Sequence, residues 1–295
     1  MTIRAIQIAI LCTLVLSERA TAQQDPFALW TTVRDNFEQN KLKVENYTYT
    51  DDQTLVSYYT KDRKKGKPSQ LDTKKWEVVF VDGMTYARLV DHNGKPLEGE
   101  EAKQEEENYR RTVMERRRSD SDQKKRHERE YGLFFLPPTA PQRLFTATLQ
   151  DVEDNPKLAK LTLTPRRDAN PLTPEDRIFL CTSMQFWIDK TDEFPIREHV
   201  DYVADETGYI LDPAAISPTR VLKGSTRDFY WQKIPDGVYV PIQALEITSS
   251  SLMTQGGEQN IKWQTEALLH DYKKFSTDAR IIPETEKVLP GSTPK

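Results

Sequence analysis

The hydrophobic and polar positions alternate most regularly between Leu180 and Val203. Leu180, Thr182, Met184, Phe186 and Ile188 share one parity, and Cys181, Ser183, Gln185 and Trp187 take the other. Successive strand side chains point to opposite faces, so this arm has one greasy face and one mixed face. After the polar run Asp189 to Glu193, Ile196, Val200 and Tyr202 share a parity, while Arg197, His199 and Asp201 hold the other. The pattern predicts a long β-hairpin around a tight reversal. A sheet with one wet face packs its other face on a core or around a ligand.

Strand signals recur on both sides of this hairpin. Tyr47, Tyr49 and Leu55 to Thr60 are aromatic and β-branched, and the basic run Lys61 to Lys67 reads as a solvated turn. Trp76 to Val81 and Met84 to Val90 flank Asp82-Gly83, a hairpin dipeptide. Leu144 to Leu149 pairs with Leu158 to Thr164 across Asp151 to Lys157, and the proline-broken loop that follows leads to one helical turn at Pro174. Phe229 to Lys233 and Val238 to Thr248 flank Pro235-Asp236-Gly237; Ser249 to Gly257 reads as a polar turn, and Gln259 to Tyr272 as the last strand. Many short strands joined in order by turns imply an antiparallel meander.

Two stretches change period. Asp25-Pro26 opens a helix with an N-cap and a proline at the first turn. Phe27, Trp30, Val33 and Phe37 follow at three- and four-residue spacing, which gives a stripe that packs on the sheet or closes a cavity. Leu97 to Tyr131 is a charged helical stretch, supported by the pairs Glu106–Arg110 and Glu107–Arg111. Its apolar stripe of Ala102, Tyr109, Val113 and Met114 is thin, so one edge rests on the body and the rest is solvated.

The first residues have the pattern of an export signal. Arg4 precedes the apolar run Ala5 to Leu16, and Ala20-Thr21-Ala22 matches a small-residue cleavage site. The expected organisation is a signal over 1–22, one domain over 23–282 with a charged helical insertion at 98–131, and a loose tail over 283–295. Beyond the leader no stretch is apolar for long enough to span a bilayer, so an exported, periplasmic protein is expected, with no transmembrane segment in the mature chain.

Composition narrows the chemistry. The 295 residues carry 42 basic and 46 acidic side chains, a net charge of −4, which argues against a general nucleic-acid binder. Cys12 lies in the leader and Cys181 stands alone, so neither a disulfide framework nor a cysteine zinc site is expected. His92, His127, His199 and His270 have no second histidine at ligand spacing. There is no zinc-protease helix, nucleophile elbow or phosphate-cradling glycine loop. No catalytic residue, metal or cofactor is expected, and the protein reads as non-enzymatic.

Three fragments occur in a telling order. Phe186-Trp187-Ile188-Asp189-Lys190 is followed by Phe194-Pro195-Ile196. Then come Lys223-Gly224 to Phe229 with Asp236-Gly237-Val238-Tyr239-Val240-Pro241, and last Asp271-Tyr272-Lys273-Lys274-Phe275. Tyr47-Thr48-Tyr49 and Gly94-Lys95-Pro96-Leu97 precede them. This order resembles exported bacterial proteins related to the outer-membrane lipoprotein carrier (LolA/LolB) superfamily. The resemblance implies an α+β fold: a curved antiparallel half-barrel, helices on its concave side, and a greasy hollow for a lipid or lipoprotein acyl chain. The chain departs from the small carriers in its length and in its charged insertion. Trp30, Val33, Phe37, Met184, Phe186, Ile188 and Val200 are the expected lining, each of which could equally be ordinary core. The competing expectation is an envelope protein with a filled core that docks a protein partner through the charged helix.

Overall fold

Among the described residues twelve strands join in one antiparallel sheet. The computed structural model describes residues 24–59, 70–81, 84–118, 141–205, 220–221, 223–254 and 257–274. The leader at 1–22, the basic turn at 61–67, Asp82-Gly83, the second part of the charged stretch at 119–131 and the tail at 283–295 lie outside the described residues.

The strands are β1 (Tyr47–Tyr59), β2 (Gln70–Val81), β3 (Met84–His92), β4 (Lys95–Pro96), β5 (Phe145–Val152), β6 (Asn155–Pro165), β7 (Thr182–Asp189), β8 (Phe194–Tyr202), β9 (Arg220–Val221), β10 (Thr226–Lys233), β11 (Tyr239–Thr254) and β12 (Gly257–Lys274). Their order is β4-β3-β2-β1-β12-β11-β10-β8-β7-β6-β5, with β9 paired to β11 off this path. The path runs from edge to edge without closing, so the sheet is an open half-barrel. Sequence neighbours pair almost throughout, as a meander requires. Besides β8 against β10 and the short β9 against β11, the exception is β1 against β12, in register from Tyr47↔Lys274 to Tyr59↔Ile261. That seam joins the two ends of the described chain in the middle of the sheet.

Two helices lie on the concave face. In α1 (Pro26–Val44) the Asp25 carboxylate accepts from Phe27 N at 3.1 Å, which meets one donor that a helix start leaves free. The helix crosses the sheet obliquely from β5 past β8 to β11. Asn36 Nδ2 donates to the Asp192 and Glu193 carbonyls of the β7–β8 turn, and Asn40 brackets Tyr239 at the start of β11. In α3 (Pro174–Leu180) the Thr173 hydroxyl and the Asp176 carboxylate form a reciprocal capping box. Arg143 donates to both Asp176 oxygens at 2.7 and 2.8 Å and holds that carboxyl down at about 2.

The charged helix α2 (Gly99–Arg118) lies elsewhere. It meets β3 through Tyr86, whose ring centroid is 5.2 Å from that of Tyr109, and through Arg88, bonded to Glu106. Tyr86 pairs with Val79, and Val79 alternates with the inward Val78, so α2 sits on the convex side of the edge. Glu106–Arg110 closes at 3.0 Å as expected, but Arg111 bonds Asn108 instead of Glu107. Of the thin apolar stripe, Val113 is buried and Met114 is exposed.

Two boundaries differ from expectation. The hairpin arm starts at Thr182, because the capping box draws Ile178, Phe179 and Leu180 into α3. The polar stretch from Ser249 is strand as far as Thr254, with Ser250 buried. There the ladder with β12 satisfies the backbone, and that outweighs the turn-like composition.

Candidate functional site

The expected lining residues are brought together as the seat of α1. Trp30, Val33, Met184, Phe186, Ile188 and Val200 form one buried cluster with Leu29, Leu144, Phe145, Leu161 and Leu163. Phe37 packs next to it, among Phe194, Phe229, Trp231 and Tyr239. All seven are buried, and the Trp30 and Phe186 rings are 4.8 Å apart. The helix therefore rests directly on β7, and between Trp30 and Phe186 the seam is closed. Burying each large apolar side chain contributes about 1.5–3 kcal/mol, so this seat is a main source of stability.

The register shows what lies beyond the seat. Leu161 pairs with Phe186, Phe186 with Glu198, Glu198 with Phe229, Phe229 with Ala244, Ala244 with Ala267, Ala267 with Gln53 and Gln53 with Lys74. The next rung runs Leu163, Met184, Val200, Arg227, Glu246, Thr265, Leu55 and Asp72. Directly paired residues share a face, so both rungs line the concavity. The first is apolar apart from Glu198 as far as Ala267 and turns polar at Gln53; the second is apolar through Val200 and polar from Arg227 on, with Leu55 the exception. Leu55, Trp76 and Trp263 on the same face remain half-buried. Among the described residues no helix packs extensively over β12, β1 or β2.

The change of chemistry centres on Glu198, Arg227 and Glu246. Glu198 is 1% exposed, and burial pushes its carboxyl up to about 8, against a smaller opposing pull from Arg227. It therefore carries its proton at neutral pH. Arg227 donates from Nη2 to Glu246 Oε1 at 3.1 Å, and Thr248 Oγ1 donates to the same oxygen at 2.7 Å. Burial works against the Arg227 charge, but Glu246, Tyr202 and Glu198 more than offset it and the guanidinium stays cationic. Burial likewise raises the Glu246 carboxyl, while Arg227 and Thr248 bring it below its ordinary value. Arg227 keeps 29% and Glu246 39% of its side-chain surface open.

Parity gave the signal for Glu198. It stands at the same parity as Ile196, Val200 and Tyr202, an acid in an otherwise inward series. Arg227 and Glu246 gave none, because their place opposite the hairpin depends on pairings between strands distant in sequence. The described histidines lie beside carboxylates: His92 between Asp72 and Glu101, His199 beside Asp228, and His270 beside Asp52; His127 lies outside the described residues. Among the described residues no group of three metal-binding side chains gathers.

No protein-family model matches the chain. No curated protein matches it. Among solved structures, one titled "Lipid-protein interactions in lipovitellin" aligns at 8% identity and a TM-score of 0.26, covering 79% of this chain and 26% of that one. The chain spans about a quarter of that protein's length, and the superposition is too loose to carry a conclusion.

Proposed function

We propose that the protein is a non-enzymatic, exported binding or carrier protein for a lipid or acylated ligand, which lies along the concave face beside α1. One observation carries this reading. The half-barrel continues past the seat of α1, and its concave face there presents Leu55, Trp76 and Trp263 half open beside a polar cluster. An acyl chain laid on such a face gains about 0.8 kcal/mol per buried methylene, and a long chain could be held without any catalytic group. The seven residues of the α1 seat are packed core that fixes α1 at the side of this site, and the face over β10, β11, β12, β1 and β2 forms its floor. The leader pattern at 1–22 supports export to the periplasm.

Native mass spectrometry of protein purified from its host, together with titration of a fluorescent fatty acid, tests the reading. A co-purified lipid adduct, or saturable binding that quenches Trp263 and Trp76 fluorescence, is the expected outcome. A bare protein mass with no saturable binding would count against it. In that case the alternative of an envelope protein that docks a partner through α2 gains ground. Deleting residues 98–130 would then abolish partner capture, whereas acyl binding should survive that deletion.

A further inference from the structure

Buried polar atoms without a hydrogen-bond partner occur at Arg34, Asp51, Asp52, Ser57, Trp76 and His199, and three more lie on neighbouring parts of α1, β8 and β10. Glu198 Oε1 has no hydrogen-bond partner among the described residues, and neither has Arg227 Nε, one diagonal step away in the register. Trp30 Nε1 is a third, on the ring packed against Phe186, the cross-strand neighbour of Glu198. Native folds leave few buried polar groups unmet, so three together require a reason. Arg227 Nε and the Trp30 indole are donors, and a protonated Glu198 carboxyl offers one O–H beside one accepting oxygen. The acceptor at hand is already engaged, since Glu246 Oε1 takes bonds from both Arg227 and Thr248. Arg227 Nε and Trp30 Nε1 are left as unmet donors, which an added acceptor would answer, and Arg227 keeps 29% of its side-chain surface open on the same face.

We propose that Arg227, steadied by Glu246 and with Glu198 beside it, anchors the head of an acyl ligand by donating to its acceptor oxygen, an ester carbonyl or a carboxylate. This rests on the reading that an acyl ligand occupies the concave face. Glu198 acts as a positioning residue. While neutral it leaves Arg227 with one counter-charge; once ionised it adds a second that competes with the ligand for the guanidinium. Arg227 is the charged group that acts on Glu198, and Glu246 and Tyr202 act in turn on Arg227; on α1, Arg34 is tied to Asp35.

Displacement of a fluorescent fatty acid from the purified protein by dodecanoate, methyl dodecanoate and dodecylamine tests the anchor, because the three share a tail and differ in the head. The wild type is expected to bind the acid or the ester about tenfold more tightly than the amine. A preference for the acid identifies a carboxylate head, and a preference for the ester a carbonyl. Arg227→Met should bring the three affinities together while the tail still binds. Arg227→Lys, the substitute if the methionine variant does not fold, should lose most of the preference, because an ammonium lacks the guanidinium fork. Glu198→Gln should keep the preference and remove its decline above about pH 8. Equal affinities in the wild type, or a preference that survives in both Arg227 variants, overturns the anchor and leaves tail binding standing. Displacement by none of the three removes the concave-face reading and the anchor with it.

Discussion

At Asn40 a single side chain ties a helix to the sheet. Its Nδ2 donates to the Tyr239 carbonyl at 2.6 Å and its Oδ1 accepts from the Tyr239 amide at 2.9 Å, both buried. Asn40→Ala strands both backbone groups and is expected to cost about 1–3 kcal/mol, read as a lower urea midpoint with an unchanged slope. An unmoved midpoint would mean that solvent reaches Tyr239 and the bracket is not needed. Glu198 predicts a pH dependence of opposite sign to that of an ordinary paired acid. Its carboxyl titrates at about 8 in the fold, against 4.5 for an unperturbed glutamate. Between those values the unfolded chain has lost the proton and the folded chain keeps it. Stability therefore falls as pH rises through that window, with a slope approaching about 1.4 kcal/mol per pH unit. Glu198→Gln should flatten the melting temperature across the same range. A wild-type melting temperature that is already level there would show that Glu198 is ionised in the fold.

Among the elements, α1 and α2 are held by different physics. Contact with α1 is apolar and close, so Trp30→Ala, which empties a fully buried ring site, is expected to cost about 3–5 kcal/mol in the denaturation midpoint. Contact with α2 is polar and partly exposed, with Arg88 over the Tyr109 ring at 5.7 Å and Tyr86 Oη on Glu105 at 2.8 Å. His92 adds a charge-dependent tie, Nδ1 to Glu101 at 2.9 Å and Nε2 to Asp72 at 2.8 Å. Bonds to Glu101 and Asp72 raise its pKa above 6.5. The tie is complete below that value and is lost as pH rises through the raised one. Amide exchange in Gly99 to Asn108, corrected for intrinsic rate, should therefore quicken above neutral pH in the wild type, while His92→Gln should exchange fast throughout. Identical exchange in the two proteins would remove the switch. The sequence revealed both helices, α1 because Phe27, Trp30, Val33 and Phe37 recur at helical spacing and α2 through pairs such as Glu106–Arg110. It did not reveal that α2 rides on the convex side, because that depends on the parity of β2 and β3 relative to a face set several strands away.

At the level of the whole molecule, the β1–β12 seam decides the architecture. A chain ending before Gly257 would expose β1 and β11 as two long unpaired edges, and it is expected to elute as aggregate in size-exclusion chromatography where the full chain does not. Local patterning determined the antiparallel strands, their hairpin order, the α1 stripe and the inward parity of Met184, Phe186 and Ile188. These follow from period, turn chemistry and capping within a few residues of one another. Only the tertiary structure decided that α1 rests directly on that greasy stripe, closing the seam there. The same holds for the side of the sheet that receives α2, and for the placing of Glu198, Arg227 and Glu246 in one concavity. The physical reason is the strand period of two. One strand's sequence fixes which residues share a face, but the residues they meet across the sheet depend on registers and bulges set by partners up to two hundred residues away.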